Sequence, residues 1–105
     1  MESVNLVYAP RAQHDLLDLP RKIAEQVIGD HDVLKVRPWP SRKVKKIKGH
    51  AYWELKTGDY RSLFVFESNT VVFLRIINRK NLEKAIRRID PKFLKLWLRD
   101  KALKV

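Results

Sequence analysis

The fold is decided by residues 45–80, which read KKIKGHAYWELKTGDYRSLFVFESNTVVFLRIINRK. In the part from His50 to Lys56, Trp53 and Leu55 alternate with polar residues. Because successive side chains of a strand point to opposite faces, this alternation predicts a strand that turns its tryptophan to a core and its polar residues to the other face.

Two further β-type runs follow, Tyr60 to Glu67 and Thr70 to Ile77, and the second is rich in β-branched residues. Thr57-Gly58-Asp59 and Ser68-Asn69 supply turn residues between the three runs. The stretch therefore predicts three consecutive antiparallel strands.

The N-terminal part predicts a strand and a helical hairpin. Val4 to Tyr8 is a short β-type run, and Pro10 suits the first turn of a helix. Leu19-Pro20 breaks this helix, and apolar residues at helical spacing predict a second one. Its expected inner face consists of Ile23, Ala24, Val27, Ile28, His31 and Leu34.

The C-terminal part predicts helices. One begins at Asn81, and Asp90-Pro91 is an N-cap followed by proline, which predicts a restart with an apolar stripe of Phe93, Leu94, Trp97 and Leu98. We expect one α+β domain over 1–105: an N-terminal strand and an α-helical hairpin packed on a small antiparallel sheet, with a helical extension over about 82–105.

The charge is distributed unevenly along the chain. Residues 1–34 carry three basic and six acidic residues, whereas the rest carries twenty and six, so the net charge of +11 is a −3 segment followed by a +14 segment. A localised positive face is typical of proteins that bind nucleic acids. The residues we predict to contact a nucleic acid, which the family resemblance given below implies is RNA, are Arg42, Lys43, Lys45, Lys46, Lys48 and Lys80.

Other classes of protein are disfavoured. No apolar run approaches the ~20 residues of a membrane-spanning helix, the first fifteen residues lack a signal-peptide layout, and there is no cysteine. We therefore expect a cytoplasmic protein with no membrane partner. His14, His31 and His50 are scattered and join no carboxylate cluster, so we expect no metal and no other cofactor.

Four segments carry a resemblance to a known family: Lys46 to His50 (KIKGH), Tyr52 to Lys56 (YWELK), Gly58 to Arg61 (GDYR) and Ile77 to Lys80 (INRK). In this order, after a strand and a helical hairpin, they resemble the RelE/ParE superfamily of toxins from type II toxin–antitoxin systems, over about residues 1–82. The resemblance implies a cognate antitoxin as partner, in a possible toxin–antitoxin hetero-oligomer. RelE-like members are ribosome-dependent endoribonucleases that cut mRNA, and ParE-like members poison DNA gyrase.

The resemblance also implies roles for individual residues. Arg61 matches the arginine that contacts the scissile phosphate, Lys56 a cation of the preceding strand, and Arg79 an arginine that stabilises the reacting phosphate. The chain departs from the pattern where relatives carry other side chains: Tyr52 and Glu54 replace lysines, Asn78 replaces a histidine and Leu82 a tyrosine.

Cleavage through the ribose 2′-hydroxyl needs cations around the phosphate and a group that moves protons. Lys56, Arg61 and Arg79 supply cations, and Lys48, Lys56, Glu54 and His50 are candidate bases. The sequence favours a metal-independent mRNA interferase acting on mRNA in the ribosome. A gyrase-inhibiting toxin, or a degenerate member that binds RNA or antitoxin without cutting, stays open.

Overall fold

The computed structural model describes residues 3–99, and the fold is α+β, as predicted. It has five strands, four α-helices and two short 3-10 turns within these residues. In chain order they are β1 (Asn5–Tyr8), α1 (Pro10–Asp18), α2 (Arg21–His31), a 3-10 turn (Asp32–Lys35), β2 (Val44–Lys46), β3 (Trp53–Thr57), β4 (Tyr60–Glu67), β5 (Thr70–Asn78), a 3-10 turn (Arg79–Asn81), α3 (Leu82–Arg88) and α4 (Pro91–Trp97). The end of the predicted C-terminal extension, 100–105, lies outside the described residues.

The strands form one sheet in the order β1-β5-β4-β3-β2. The three predicted strands pair antiparallel as expected, but β1 pairs parallel to β5, so the sheet is mixed rather than purely antiparallel. The parallel pairing follows from the helical hairpin, which carries the chain across the sheet after β1. The basic run also contributes a strand, because β2 adds to the free edge of β3.

The two hairpin turns have the chemistry that their backbone requires. Gly58 has a φ of +57° between β3 and β4, and Ser68 and Asn69 both have positive φ between β4 and β5. A two-residue turn with two positive φ angles matches the twist of the flanking strands. The turns therefore fix the register of β3, β4 and β5.

Both faces of the sheet are covered, but unequally. On the hairpin face, α1 and α2 enclose a core that includes Leu55, Phe64 and Phe73. On the opposite face, which we call the outer face, α3 and α4 cover Leu63, Val65, Val72 and Leu74 together with Tyr52 and Leu98.

Tyr52 shows how far the predicted polar face of β3 extends. It does point to the outer face, yet it is buried, because α4 packs over this end of β3. The outer face is therefore polar only at its other end, where Glu54 and Lys56 lie.

Asp15 of α1 forms hydrogen bonds with the part of β5 that extends beyond β1. Its carboxylate accepts hydrogen bonds from the Ile76 backbone N–H at 2.8 Å and from Arg75 Nε at 2.8 Å. A carboxylate thus satisfies a backbone donor that the short strand β1 does not reach. Among residues 3–99, no helix has the length and apolar character needed to cross a membrane.

Candidate anion-binding site

Strand pairing brings Lys56 and Arg61 together. They lie directly opposite each other on β3 and β4, next to the two-residue turn at Gly58, and both point to the outer face. Side chains opposed in this way have Cβ atoms about 5 Å apart. Two cations that are separated by four residues in the sequence therefore share one surface.

Arg61 is held by its own strand, its turn and its neighbour. Its Nη1 donates to the Gly58 and Tyr60 carbonyls at 2.8 and 2.9 Å, and its Nε lies 3.4 Å from Glu54 Oε1. Within residues 3–99, Nη2 makes no hydrogen bond. The guanidinium is thus fixed on two sides, and Nη2 is its remaining donor.

Lys45 joins this pair from the edge strand. It lies opposite Glu54 on β2, and its ammonium group approaches that of Lys56. The charge of Lys45 is the largest of the effects that lower the pKa of Lys56. We call the surface formed by Lys45, Lys56 and Arg61 the cationic end; the repulsion within it would be relieved by a bound anion.

Arg79 and Lys80 lie at the same end of the sheet but one strand further along. Arg79 follows β5, and its Nε is 3.6 Å from Asp59 Oδ1 in the β3–β4 turn. Both partners of this contact are exposed, so it restrains Arg79 little. Lys80 is exposed in the 3-10 turn that follows.

The other predicted RNA contacts are spread along the basic loop. Lys43 is half-buried and pairs with Asp30 of α2 at 2.7 Å. The remaining three are exposed on or beside β2: Arg42, Lys46 and Lys48.

His50 is separated from the cationic end. It stacks on Tyr52 with ring centroids 5.8 Å apart, in the loop that precedes β3. Lys56 lies at the far end of that strand, and three strand residues alone span about 10 Å. The structure does not bring this candidate base to Lys56 and Arg61.

The contact between Lys45 and Lys56 was not predicted from the sequence. A signal was present, since Lys43 and Lys45 alternate with Val44 in a strand-like pattern. A buried network was not predicted either: His31 Nδ1 lies 2.6 Å from the Tyr8 hydroxyl, and His31 Nε2 lies 2.7 Å from Ser62 Oγ. Both contacts depend on pairing between distant segments.

The chemistry of the cationic end is that of an anion-binding surface. Ammonium and guanidinium groups form charge-assisted hydrogen bonds with phosphate oxygens. No group of three His, Cys, Asp or Glu side chains that could hold a metal ion occurs in the described part of the chain.

Several solved structures share this fold. The toxin–antitoxin complex RelBE2 from Mycobacterium tuberculosis matches with a TM-score of 0.62 and 25% identity, over 74% of this chain and 100% of that one. The RelB–RelE antitoxin–toxin complex from Methanococcus jannaschii matches with a TM-score of 0.59 and 25% identity, over 81% and 99%. The archaeal RelE–RelB complex from Pyrococcus horikoshii matches with a TM-score of 0.63 and 20% identity, over 74% and 97%.

No protein-family model and no curated protein sequence matches the chain. The structural likeness nevertheless covers nearly the whole length of each of these three chains. The predicted resemblance is therefore confirmed: the chain is RelE-like, with the fold of the RelE-type toxins.

Proposed function

We propose that this protein is the toxin of a type II toxin–antitoxin system and that it cuts mRNA on the ribosome. The observation that carries the proposal is the cationic end on a RelE-like fold, where Lys45, Lys56 and Arg61 face the same surface. A polyanion that neutralises such a cluster releases counterions, so its binding is favoured at low salt.

The cationic end supplies cations around the phosphate and a group that can accept a proton, both of which phosphodiester cleavage requires. In the reaction we propose, the 2′-oxygen of the ribose loses its proton to Lys56 and attacks phosphorus, the bond to the 5′-oxygen breaks, and that oxygen takes a proton from water. The products are a 2′,3′-cyclic phosphate and a 5′-hydroxyl. Arg61 Nη2 and Lys45 would stabilise the charge that develops on the phosphoryl oxygens.

Lys56 is the base that we propose for the 2′-hydroxyl. A lysine acts as a base only in its neutral form, and the neighbouring charge of Lys45 lowers the pKa of Lys56. Glu54, the other candidate on this face, is less suited because its carboxylate lies against Arg61.

The test is to induce the protein in a growing culture and to map mRNA 5′-ends by primer extension, with and without translation of the message. We expect growth arrest and cuts within translated messages only. Growth arrest with intact mRNA and inhibited DNA supercoiling would show a gyrase poison instead, and no growth arrest would overturn the toxin assignment.

Replacing Lys45 by glutamine is expected to move the pH profile of cleavage. Removing this charge raises the pKa of Lys56, so the acid limb of the cleavage rate shifts to higher pH and the rate near neutrality falls. Single-turnover cleavage on programmed ribosomes between pH 6.5 and 9 measures the shift. The control is Lys46→Gln, which removes the neighbouring charge of β2 from a position opposite Trp53 rather than Glu54. An unchanged acid limb would rule out Lys56 as the base.

The partner we propose is an acidic antitoxin, and its docking site is a groove of about 470 Å³ beside α4. The groove is apolar, and Phe93 on its wall is 68% exposed. Three arginines and one acidic residue line it as well, so an acidic amphipathic segment fits it better than a second copy of this +11 chain. These charged residues are Arg11, Arg75, Arg88 and Asp90. Its apolar wall is formed by Ala9, Pro10, Leu74, Ile89, Phe93, Leu94 and Trp97.

Replacing Phe93 by serine is expected to free the toxin from its antitoxin. Loss of an aromatic anchor from a groove weakens binding by roughly 10- to 100-fold, while the cationic end is untouched. Titration calorimetry with the protein encoded beside the toxin gene measures the affinity, and co-expression measures rescue of growth. Leu17→Ser, at an 81% exposed position of α1, is the control; equal affinities of the two variants would rule out this groove.

A further inference from the structure

We infer that Glu54 is a built-in counterion of Arg61 that limits how strongly the cationic end binds RNA. The inference rests on the proposed function for the identity of the ligand, but its geometry is independent of any cleavage. Glu54 would then be a positioning residue, one that acts through Arg61, rather than a catalytic base.

Glu54 forms an ion pair with Arg61 that is largely shielded from solvent. Its Oε1 lies 3.4 Å from Arg61 Nε, and the two side chains are only 18% and 12% exposed. An ion pair this well covered is screened less than a surface pair, so the carboxylate offsets much of the guanidinium charge. The cationic end therefore presents a weaker field than its three cations would give alone.

Glu54 also lies next to the other two cations of the cluster, Lys45 and Lys56. It lies opposite Lys45 on β2 and two residues before Lys56 on the same face, and its charge opposes the effect by which Lys45 lowers the pKa of Lys56. One carboxylate thus lies next to each cation of the cluster. A phosphate that approaches Arg61 through Nε must compete with this carboxylate, which leaves Nη2 as the open donor within the described residues.

The ion pair should make the cationic end selective between loosely bound RNA and RNA that is held in position. A loosely bound polyanion gains little at a site whose arginine is already neutralised, whereas a phosphate held rigidly in the right place can reach Nη2 without displacing Glu54. Glu54 therefore weakens the binding of non-specific RNA, but it does not weaken the binding of mRNA that the ribosome holds in position.

Salt-dependent binding of a synthetic 12-residue oligouridylate tests the inference, with fluorescence anisotropy between 0.05 and 0.3 M salt. We expect Glu54→Gln to bind roughly threefold more tightly than the wild type. Its log–log salt slope should be steeper by up to ~0.7, the value for one more neutralised phosphate of a single strand. Glu25→Gln, which removes the same charge from the exposed surface of α2, should leave both quantities unchanged.

A double-mutant comparison shows whether Glu54 acts through Arg61. In an Arg61→Gln background, Glu54→Gln should bring no further gain in slope. Weaker binding by Glu54→Gln, a slope equal to that of the wild type, or the same gain without Arg61 would each overturn the inference while the RNA-binding proposal stands. No binding by wild type and variant alike would overturn both. Near-ultraviolet circular dichroism confirms that the variants are folded.

Discussion

Replacing Lys56 and Arg61 together by glutamine is expected to abolish mRNA cleavage and, with it, growth arrest. Both side chains belong to the cationic end and lie opposite each other on β3 and β4. The loss of one preorganised donor to a developing anion typically costs about 10²- to 10³-fold in rate, and this variant also loses the proposed base. Cleavage on programmed ribosomes should fall by at least ~10³-fold.

The matched control removes two charges from the same basic region but not from the cationic end. Arg42 and Lys46 are exposed, the first in the turn before β2 and the second on that strand. Their double replacement by glutamine should weaken RNA binding at low salt yet leave the cleavage rate at saturating ribosome within about threefold of the wild type. Equal losses in the two double variants would mean that total charge, and not this cluster, drives the activity.

Strand assignments could be predicted from the sequence because local signals agreed there. The alternation around Trp53 and Leu55, with turn residues at Gly58 and at Asn69, was sufficient to place β3, β4 and β5. The same hairpin places Lys56 opposite Arg61. Local pattern and tertiary structure are consistent in this part of the chain.

What could not be predicted depends on contacts between distant segments. The parallel pairing of β1 with β5 joins residues about 65 positions apart in the chain, and no local pattern encodes it. The ion pair between Glu54 and Arg61 could not be predicted from strand positions alone, because it depends on the conformations of the two side chains. Ile28 was predicted to face the core but is 48% exposed, because α2 contacts the sheet through the narrower stripe that includes Val27 and His31.

Acidification is expected to destabilise the fold through His31, which is the titratable group most deeply enclosed in the described core. It is 1% exposed, stacks on Phe73 with ring centroids 3.9 Å apart, and lies between the hydroxyls of Tyr8 and Ser62. A neutral imidazole has one donor and one acceptor nitrogen, so it satisfies both hydroxyls without a buried charge. Burial lowers the pKa of His31 to about 4, although Asp30 and Asp32 oppose the effect.

The sign of the pH dependence follows from these pKa values. An unfolded chain takes up the histidine proton near pH 6.5, whereas the folded protein takes it up only near pH 4. Between these values the unfolded state binds more protons, so the stabilisation is complete above pH 6.5 and is lost as the pH falls toward 4. The free energy of unfolding should therefore decrease by roughly 2–3 kcal/mol between pH 7 and pH 4.5 from this group alone, a large part of the ~5–15 kcal/mol of a typical domain.

Urea unfolding followed by tryptophan fluorescence at pH 7, 6, 5 and 4.5 measures this decrease. His31→Gln is expected to be less stable than the wild type at pH 7, because it loses the stacking on Phe73, but its stability should depend less on pH by the same 2–3 kcal/mol. His14→Gln, at an exposed position of α1, should keep the full pH dependence of the wild type. If His31→Gln and the wild type lose stability in parallel on acidification, the imidazole is not held neutral by the fold, because a group that stays neutral in the folded state must contribute a slope that disappears with it.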